Sequence, residues 1–359
     1  MIRCFAFYAL AFILIGCTES NNAADGGTTT TTNHTPVVAQ ANPDQASQVG
    51  YDFSYDATQA AATFSDADGN ALSYTINYAP AANGLSDAAG VITGIPASDQ
   101  NITITITAND GNGGSISDNF VIVVTIDQSN IQTVFAGAID LENLPNYANQ
   151  TVPNYITKLN EGGNPITDGG AVLGRVLFYD LALSTSDNRS CASCHLQERG
   201  FSDPDLVSSG VEGGVTGRHS MRLINTQFAN ESQFFWDERA ASHEAQETQP
   251  IQDHNELGFS GQAGRPTLTA LISKLESLEY YEELFRFVFL DPEITEGKLQ
   301  LALAQFTKSL HSFDSKFDAG RAQAGNNNAN FINFTADENA GKALFLNPPN
   351  NGGAGCGGC

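Results

Sequence analysis

From about Thr35 the chain alternates between apolar and polar positions. Leu72, Tyr74, Ile76 and Tyr78 alternate with Ser73, Thr75 and Asn77, and Ile102, Ile104 and Ile106 alternate with Thr103, Thr105 and Thr107. A period of two puts every second side chain on one face, so these segments predict half-buried strands. Turn clusters separate them: Asp66-Ala67-Asp68-Gly69-Asn70, and Asp110-Gly111-Asn112-Gly113-Gly114 before a last strand at Phe120 to Ile126. Several short strands joined by polar turns predict an all-β sandwich over 35–127.

After Ser129 the period becomes helical. Residues 128–167 read as a connector broken by Pro145, Pro153 and Pro165. Ala171 to Phe178 then predicts a helix. Thr267 stands as an N-cap before Leu268, Leu271, Ile272, Leu275 and Leu278. Leu299, Ala302, Leu303, Phe306, Leu310, Phe313 and Phe317 form another apolar stripe, expected to be core. Thr335 and Glu338 have capping-box spacing ahead of Gly341, Leu344 and Phe345. The second half is therefore mainly α, divided as 168–335 and 336–359.

The N-terminus belongs to neither pattern. Arg3, an apolar run from Phe5 to Ile15, and Leu14-Ile15-Gly16-Cys17 resemble a bacterial lipoprotein signal over residues 1–16. That resemblance implies cleavage before Cys17 and acylation of that cysteine. An ordinary signal peptide is the plainer alternative. Thr18 fits outer-membrane sorting, so the protein is expected to be exported, periplasmic or cell-surface, and held to the outer membrane by lipid alone. Residues 17–34, with a run of five Thr, have almost nothing to bury and read as a flexible tether.

Charge narrows the partners. Sixteen basic residues against forty acidic ones give a net charge of −24, which repels nucleic acid and anionic membrane and attracts a basic redox protein.

The chemistry concentrates at Ser190-Cys191-Ala192-Ser193-Cys194-His195. Two thiols three apart followed at once by imidazole is the attachment pattern of a c-type haem, both sulfurs bonding one porphyrin edge and His195 ligating iron. Zinc and a thioredoxin-like dithiol are disfavoured by the immediate His and by the lack of an adjoining β-α-β pattern. Of six cysteines, Cys4 leaves with the signal and Cys17 takes lipid. The others fall into two pairs, Cys191/Cys194 and Cys356/Cys359. The second pair predicts a second haem whose ligand follows Cys359, with the chain expected to continue. A short dithiol, or a four-Cys zinc site with the first pair, is the alternative.

Two resemblances organise these readings. Phe64-Ser65-Asp66-Ala67-Asp68-Gly69, Gly90-Val91-Ile92-Thr93-Gly94-Ile95-Pro96 and Thr107-Ala108-Asn109-Asp110-Gly111 resemble cadherin-like, immunoglobulin-type sandwiches of bacterial surface proteins. There Asp66, Asp68 and Asp110 are candidate calcium ligands, or simply turn formers. Leu173-Gly174-Arg175-Val176-Leu177-Phe178-Tyr179-Asp180, the haem motif, Phe234-Phe235-Trp236-Asp237-Glu238-Arg239-Ala240 and Gly341-Lys342-Ala343-Leu344-Phe345 resemble the bacterial di-haem cytochrome c peroxidase family. That superfamily includes the maturase of methylamine dehydrogenase.

The resemblance implies two facing haem lobes, the second incomplete, and reduction of hydrogen peroxide with electrons from a reduced c-type cytochrome or small copper protein. It matches Gln246 to the family's distal amide and Glu256 to its acid/base. Trp236 becomes an electron bridge between haems, core packing being its other reading, and Arg218 lies near the propionates or between the haems. His219 replaces the usual Asn, which weakens transfer of a calcium site. Val211 to Gly217 lacks the His that caps the iron in classical members, so an open iron is expected, with His219 as the other candidate cap. Met221 is expected to pack, not ligate. A homodimer is a further expectation. The runner-up activity is oxidation of a protein or organic substrate. The rival from another class is a surface binding protein whose haem domain only transfers electrons.

Overall fold

The computed structural model describes residues 32–229 and 231–358. The signal, Cys17, most of the tether and Cys359 lie outside the described residues.

The alternating segments form nine strands: β1 (Val37–Val38), β2 (Gln45–Gln48), β3 (Phe53–Asp56), β4 (Phe64–Ser65), β5 (Ser73–Ala79), β6 (Leu85–Ala88), β7 (Val91–Gly94), β8 (Asn101–Asn109) and β9 (Ser115–Thr125). They make a four-stranded sheet β2-β9-β8-β5, a three-stranded sheet β3-β7-β6 and a small β1-β4 pair. Register sets Ile104 opposite Phe120 and Ile102 opposite Ile122, and these side chains meet Ile92 and Phe64 in one core. Asp118 interrupts the inward row of β9. It is buried because Asn42 donates to it through its backbone N–H at 2.7 Å and its amide at 3.0 Å.

The calcium candidates act as turn acceptors. Asp66 Oδ1 accepts the Asp68 N–H at 2.9 Å; Asp110 Oδ1 accepts from Asn112 at 2.7 Å and Gly114 at 2.9 Å. Asp68 pairs with His34 at 2.8 Å. Among the described residues no three His, Cys, Asp or Glu are grouped to hold a metal ion, and these carboxylates serve the turns.

The second half contains α1 (Ser129–Val134), α2 (Asp168–Tyr179), α3 (His243–Glu247), α4 (Gln249–Gln252), α5 (Leu268–Glu276), α6 (Glu279–Phe289), α7 (Glu296–Lys308), α8 (Lys316–Gln323) and α9 (Ala336–Leu346). Its core is the α2–α7 contact, where the Phe178 and Phe306 rings stand edge to face at 5.1 Å. Gly174 permits this approach, since a Cβ there would lie 2.0 Å from the Ala302 carbonyl oxygen.

Some expected boundaries move. The stripe from Leu299 to Phe317 is not one helix: α7 stops at Lys308 and Phe317 belongs to α8. The pattern continues past the helix end because Leu310 packs against the core and Phe313 stacks with Phe228 and His311. Thr267 occupies the N-cap of α5 without a side-chain capping bond, and Leu278 caps α6 instead of ending α5. The Thr335–Glu338 capping box does form.

The connector is pinned at its start. Gly50 O accepts from Arg286 of α6 at 3.1 Å, and that guanidinium lies 3.9 Å from the Tyr51 ring centroid. Glu283, one turn earlier, accepts the N–H groups of Asn130 and Ile131 at the start of α1, at 2.9 and 3.0 Å. Ile126 contributes to both cores.

Candidate haem site

The chain leaves α2 at Asp180 and returns in a single tight turn at Cys191–Ser193. Ser193 Oγ accepts the Ser190 N–H at 3.0 Å, and the N–H groups of Cys194 and His195 both reach the Cys191 carbonyl, at 3.1 and 3.0 Å. The turn brings both thiols and the imidazole to one wall of a cleft of about 490 Å³, within the usual range for small-molecule and cofactor sites.

His195 Nδ1 lies 2.9 Å from the Phe201 carbonyl oxygen. A carbonyl only accepts, so Nδ1 carries the proton and Nε2 keeps its lone pair, the tautomer suited to ligating a metal. Burial pushes the ring's pKa down, which keeps it neutral. Burial pushes both thiols up, the opposite of an activated thioredoxin-like nucleophile. Two protonated thiols, a neutral imidazole with a free lone pair and an adjoining cleft fit a covalently attached haem.

The same cleft is lined by residues assigned by resemblance. Ser242 caps α3 by accepting the Ala245 N–H at 3.1 Å, and Gln246 faces the cleft. Glu256 sits in the loop after α4, where Asp253 Oδ1 accepts the N–H groups of Asn255 and Glu256 at 2.8 and 3.0 Å. Gly258, at φ +91°, turns the chain beside Thr185. Burial raises the Glu256 carboxyl to about 7; Asp253 adds to this and Arg239 opposes it. Glu256 therefore has both protonation states available near neutrality.

Trp236 and Arg218 stand at the mouth. Trp236 is 60% exposed, so core packing is excluded, and its indole N–H donates to the His219 carbonyl at 2.9 Å. Asp237 bridges Arg218 at 2.7 Å and Arg239 at 2.8 Å. Hydrogen bonds from Arg239 and then Arg218 hold the Asp237 carboxyl down at about 2. The His219 ring nitrogens are both engaged, by Ser202 Oγ at 3.1 Å and the Asp205 carbonyl at 2.9 Å. In Val211 to Gly217 the prominent side chain is Glu212, paired with Arg265 at 2.8 Å. Met221 lines the cleft. Cys356 is exposed.

Sequence reasoning passes over Glu247 and Lys308. Glu247 lines the cleft beside Gln246, with Thr307 at 2.8 Å, and burial raises its carboxyl to about 7. Lys308 is 0% exposed, its ammonium held by Glu244 and the carbonyls of Glu161 and Asn164. Their signal was present but faint: two polar positions, Thr307 and Lys308, closing an apolar stripe opposite two glutamates three apart.

Residues 169–327 match the family model described as di-haem cytochrome c peroxidase, and residues 35–125 match that of a putative Ig domain. The protein thus carries a segment similar to Ig domains ahead of a segment similar to the di-haem cytochrome c peroxidase family. It is 34% identical over 164 residues to the methylamine utilization protein MauG of Methylophilus methylotrophus, covering 45% of this chain and 46% of that one. It is 31% identical over 186 residues to the cytochrome c551 peroxidase of Nitrosomonas europaea, covering 52% and 49%. A solved MauG-like protein associated with microbial copper homeostasis is 25% identical with a TM-score of 0.46, over 55% of each chain. The chain spans about half the length of the curated relatives it matches.

Proposed function

We propose that the protein reduces hydrogen peroxide to water with electrons from a small redox protein, a c-type cytochrome or a copper protein. The observation that carries this reading is Glu256, a carboxyl raised to about 7, lining one cleft with the neutral His195. Haem, which Cys191, Cys194 and His195 would hold, would supply the redox chemistry. The chain's own residues handle the protons. Cleaving the O–O bond needs a proton taken from one oxygen and delivered to the other, and this reading gives both tasks to Glu256. The Gln246 amide, with two donors and an acceptor, orients the small substrate. Arg218, Asp237 and Arg239 hold the loop that carries Trp236, and this reading gives Trp236 the electron bridge to a second haem. The lipid anchor at Cys17 and an outer-membrane location are part of the same proposal.

Replacing Glu256 by Gln tests it: haem stays attached by its absorbance while peroxide-dependent oxidation of reduced cytochrome c falls about 10²–10⁴-fold. Unchanged turnover removes Glu256 from the mechanism. A second reading, oxidation of a protein or organic substrate, is favoured by the 34% identity to MauG. Peroxide consumption that proceeds without a reduced donor, with an organic co-substrate oxidised instead, selects it.

A further inference from the structure

The two main sheets of the sandwich end in four edge strands: β2 and β5 bound the four-stranded sheet, β3 and β6 the three-stranded one. An exposed edge offers a row of backbone N–H and C=O groups to any passing strand, and natural proteins blunt it by keeping it short or by placing charge or proline on it. Three of these edges follow that rule. β2, β3 and β6 have four residues each. β3 carries Asp56, β6 carries Asp87, and Asp44 stands at the head of β2, accepting the Val121 N–H at 2.8 Å.

β5 departs from it in every respect. It runs for seven residues, Ser73-Tyr74-Thr75-Ile76-Asn77-Tyr78-Ala79, without a charge, proline or glycine. Its pairing with β8 is continuous from Ser73 opposite Asn109 to Ala79 opposite Thr103, so no bulge turns the edge away. Among the described residues no backbone bond leaves β5 on the side away from β8. The neighbouring β8 is uncharged as well, in a chain with forty acidic residues against sixteen basic ones.

The core side of this strand is also incompletely covered. Tyr74, Ile76 and Tyr78 pack against the core yet stay half-buried, whereas Ile102, Ile104 and Ile106 of β8 are fully buried. The rings are nonetheless held in place: Tyr74 meets Phe64 at 5.9 Å between centroids, and the Tyr78 hydroxyl donates to Asp87 at 3.1 Å.

Symmetry and neutrality choose the occupant. An antiparallel twofold through Ile76 sets Tyr74 opposite Tyr78 of a second copy, Thr75 opposite Asn77 and Ser73 opposite Ala79. Aromatic then meets aromatic on the core side, hydroxyl meets amide on the outer side, and Ile76 meets its own counterpart, all favourable cross-strand pairs. Copies of so acidic a chain repel each other, and this uncharged edge is where they approach at least cost. We propose that β5 is the contact of a homodimer, in which two four-stranded sheets join edge to edge into one continuous sheet. The pairing is independent of the peroxide reading.

The full-length, haem-loaded protein in detergent, followed by sedimentation, tests it. Wild type is expected to be dimeric across the micromolar range. Thr75→Lys combined with Asn77→Lys sets like charges opposite each other and weakens the dimer by about tenfold or more. Both side chains are exposed, so the circular dichroism spectrum stays that of wild type. Cysteines read the register. Oxidised together, the Thr75→Cys and Asn77→Cys proteins cross-link to each other; either alone does not, because like positions on the two strands then lie too far apart for a disulfide. Wild type, with Cys356 and Cys359 present, sets the background. A monomeric wild type overturns the proposal and leaves the edge to an extended segment of another protein. A dimer that survives the two lysines, or cross-links as readily within one cysteine variant, overturns it by placing the contact elsewhere.

Discussion

Lys308 Nζ lies 3.1 Å from Glu244 Oε1, with the lysine side chain 1% exposed and the glutamate 15%. The ammonium also takes the Glu161 carbonyl at 3.0 Å and the Asn164 carbonyl at 2.6 Å. It thereby joins the connector, α3 and the end of α7.

Removing one partner of such a pair leaves an uncompensated charge inside the protein. Lys308→Met is expected to destabilise by about 3–5 kcal/mol, read from urea unfolding midpoints. A loss below about 1 kcal/mol shows that water reaches Glu244 freely.

The glutamates of the cleft set a pH dependence. Glu256 releases its proton near 4.5 in the unfolded chain and near 7 in the folded one. Between these values the folded state holds the extra proton, so this group's contribution to stability falls as pH rises. Buried His195, His243 and His311 are shifted down and act in the opposite sense. The clean measurement is therefore a difference. Haem-free Glu256→Gln should gain melting temperature relative to wild type at pH 8 and gain less at pH 5.

Gly174 sets the α2–α7 spacing, and Gly174→Ala brings a methyl into the Ala302 carbonyl. Helix propensity favours Ala by about 1 kcal/mol, but forced separation of the two helices costs more. A net loss of roughly 1–3 kcal/mol is expected, with broadened haem-domain signals in NMR. A stabilised variant shows that the helices slide apart without loss.

Legibility from sequence followed the reach of each interaction. Strands β5, β8 and β9 were readable because alternation reports burial on one face. The haem turn was readable because its chemistry lies in six consecutive residues. Gln246 and Glu256 needed a family resemblance, since nothing local separates Glu256 from thirty-nine other acids. Glu247 and Lys308 escaped because their burial depends on partners 60 and 64 residues away. The end of α7 escaped because Leu310 and Phe313 keep apolar contacts, with the core and with Phe228, after the helical hydrogen bonds stop.

At the junction, Arg286→Ala removes the contact with the Tyr51 ring and the bond to Gly50. About 1–2 kcal/mol of coupling is expected to go. Calorimetry should then show sandwich and helical domains melting further apart; a single unchanged transition argues that Ile126 alone couples them.

That junction also decides how the cleft is aimed. Tyr51 and Gly50 are clamped by Arg286 while Glu283 grips the first turn after the sandwich. Two side chains one turn apart on α6, Glu283 and Arg286, thus grip the chain on either side of that junction and set the direction in which the sandwich leaves the helical half.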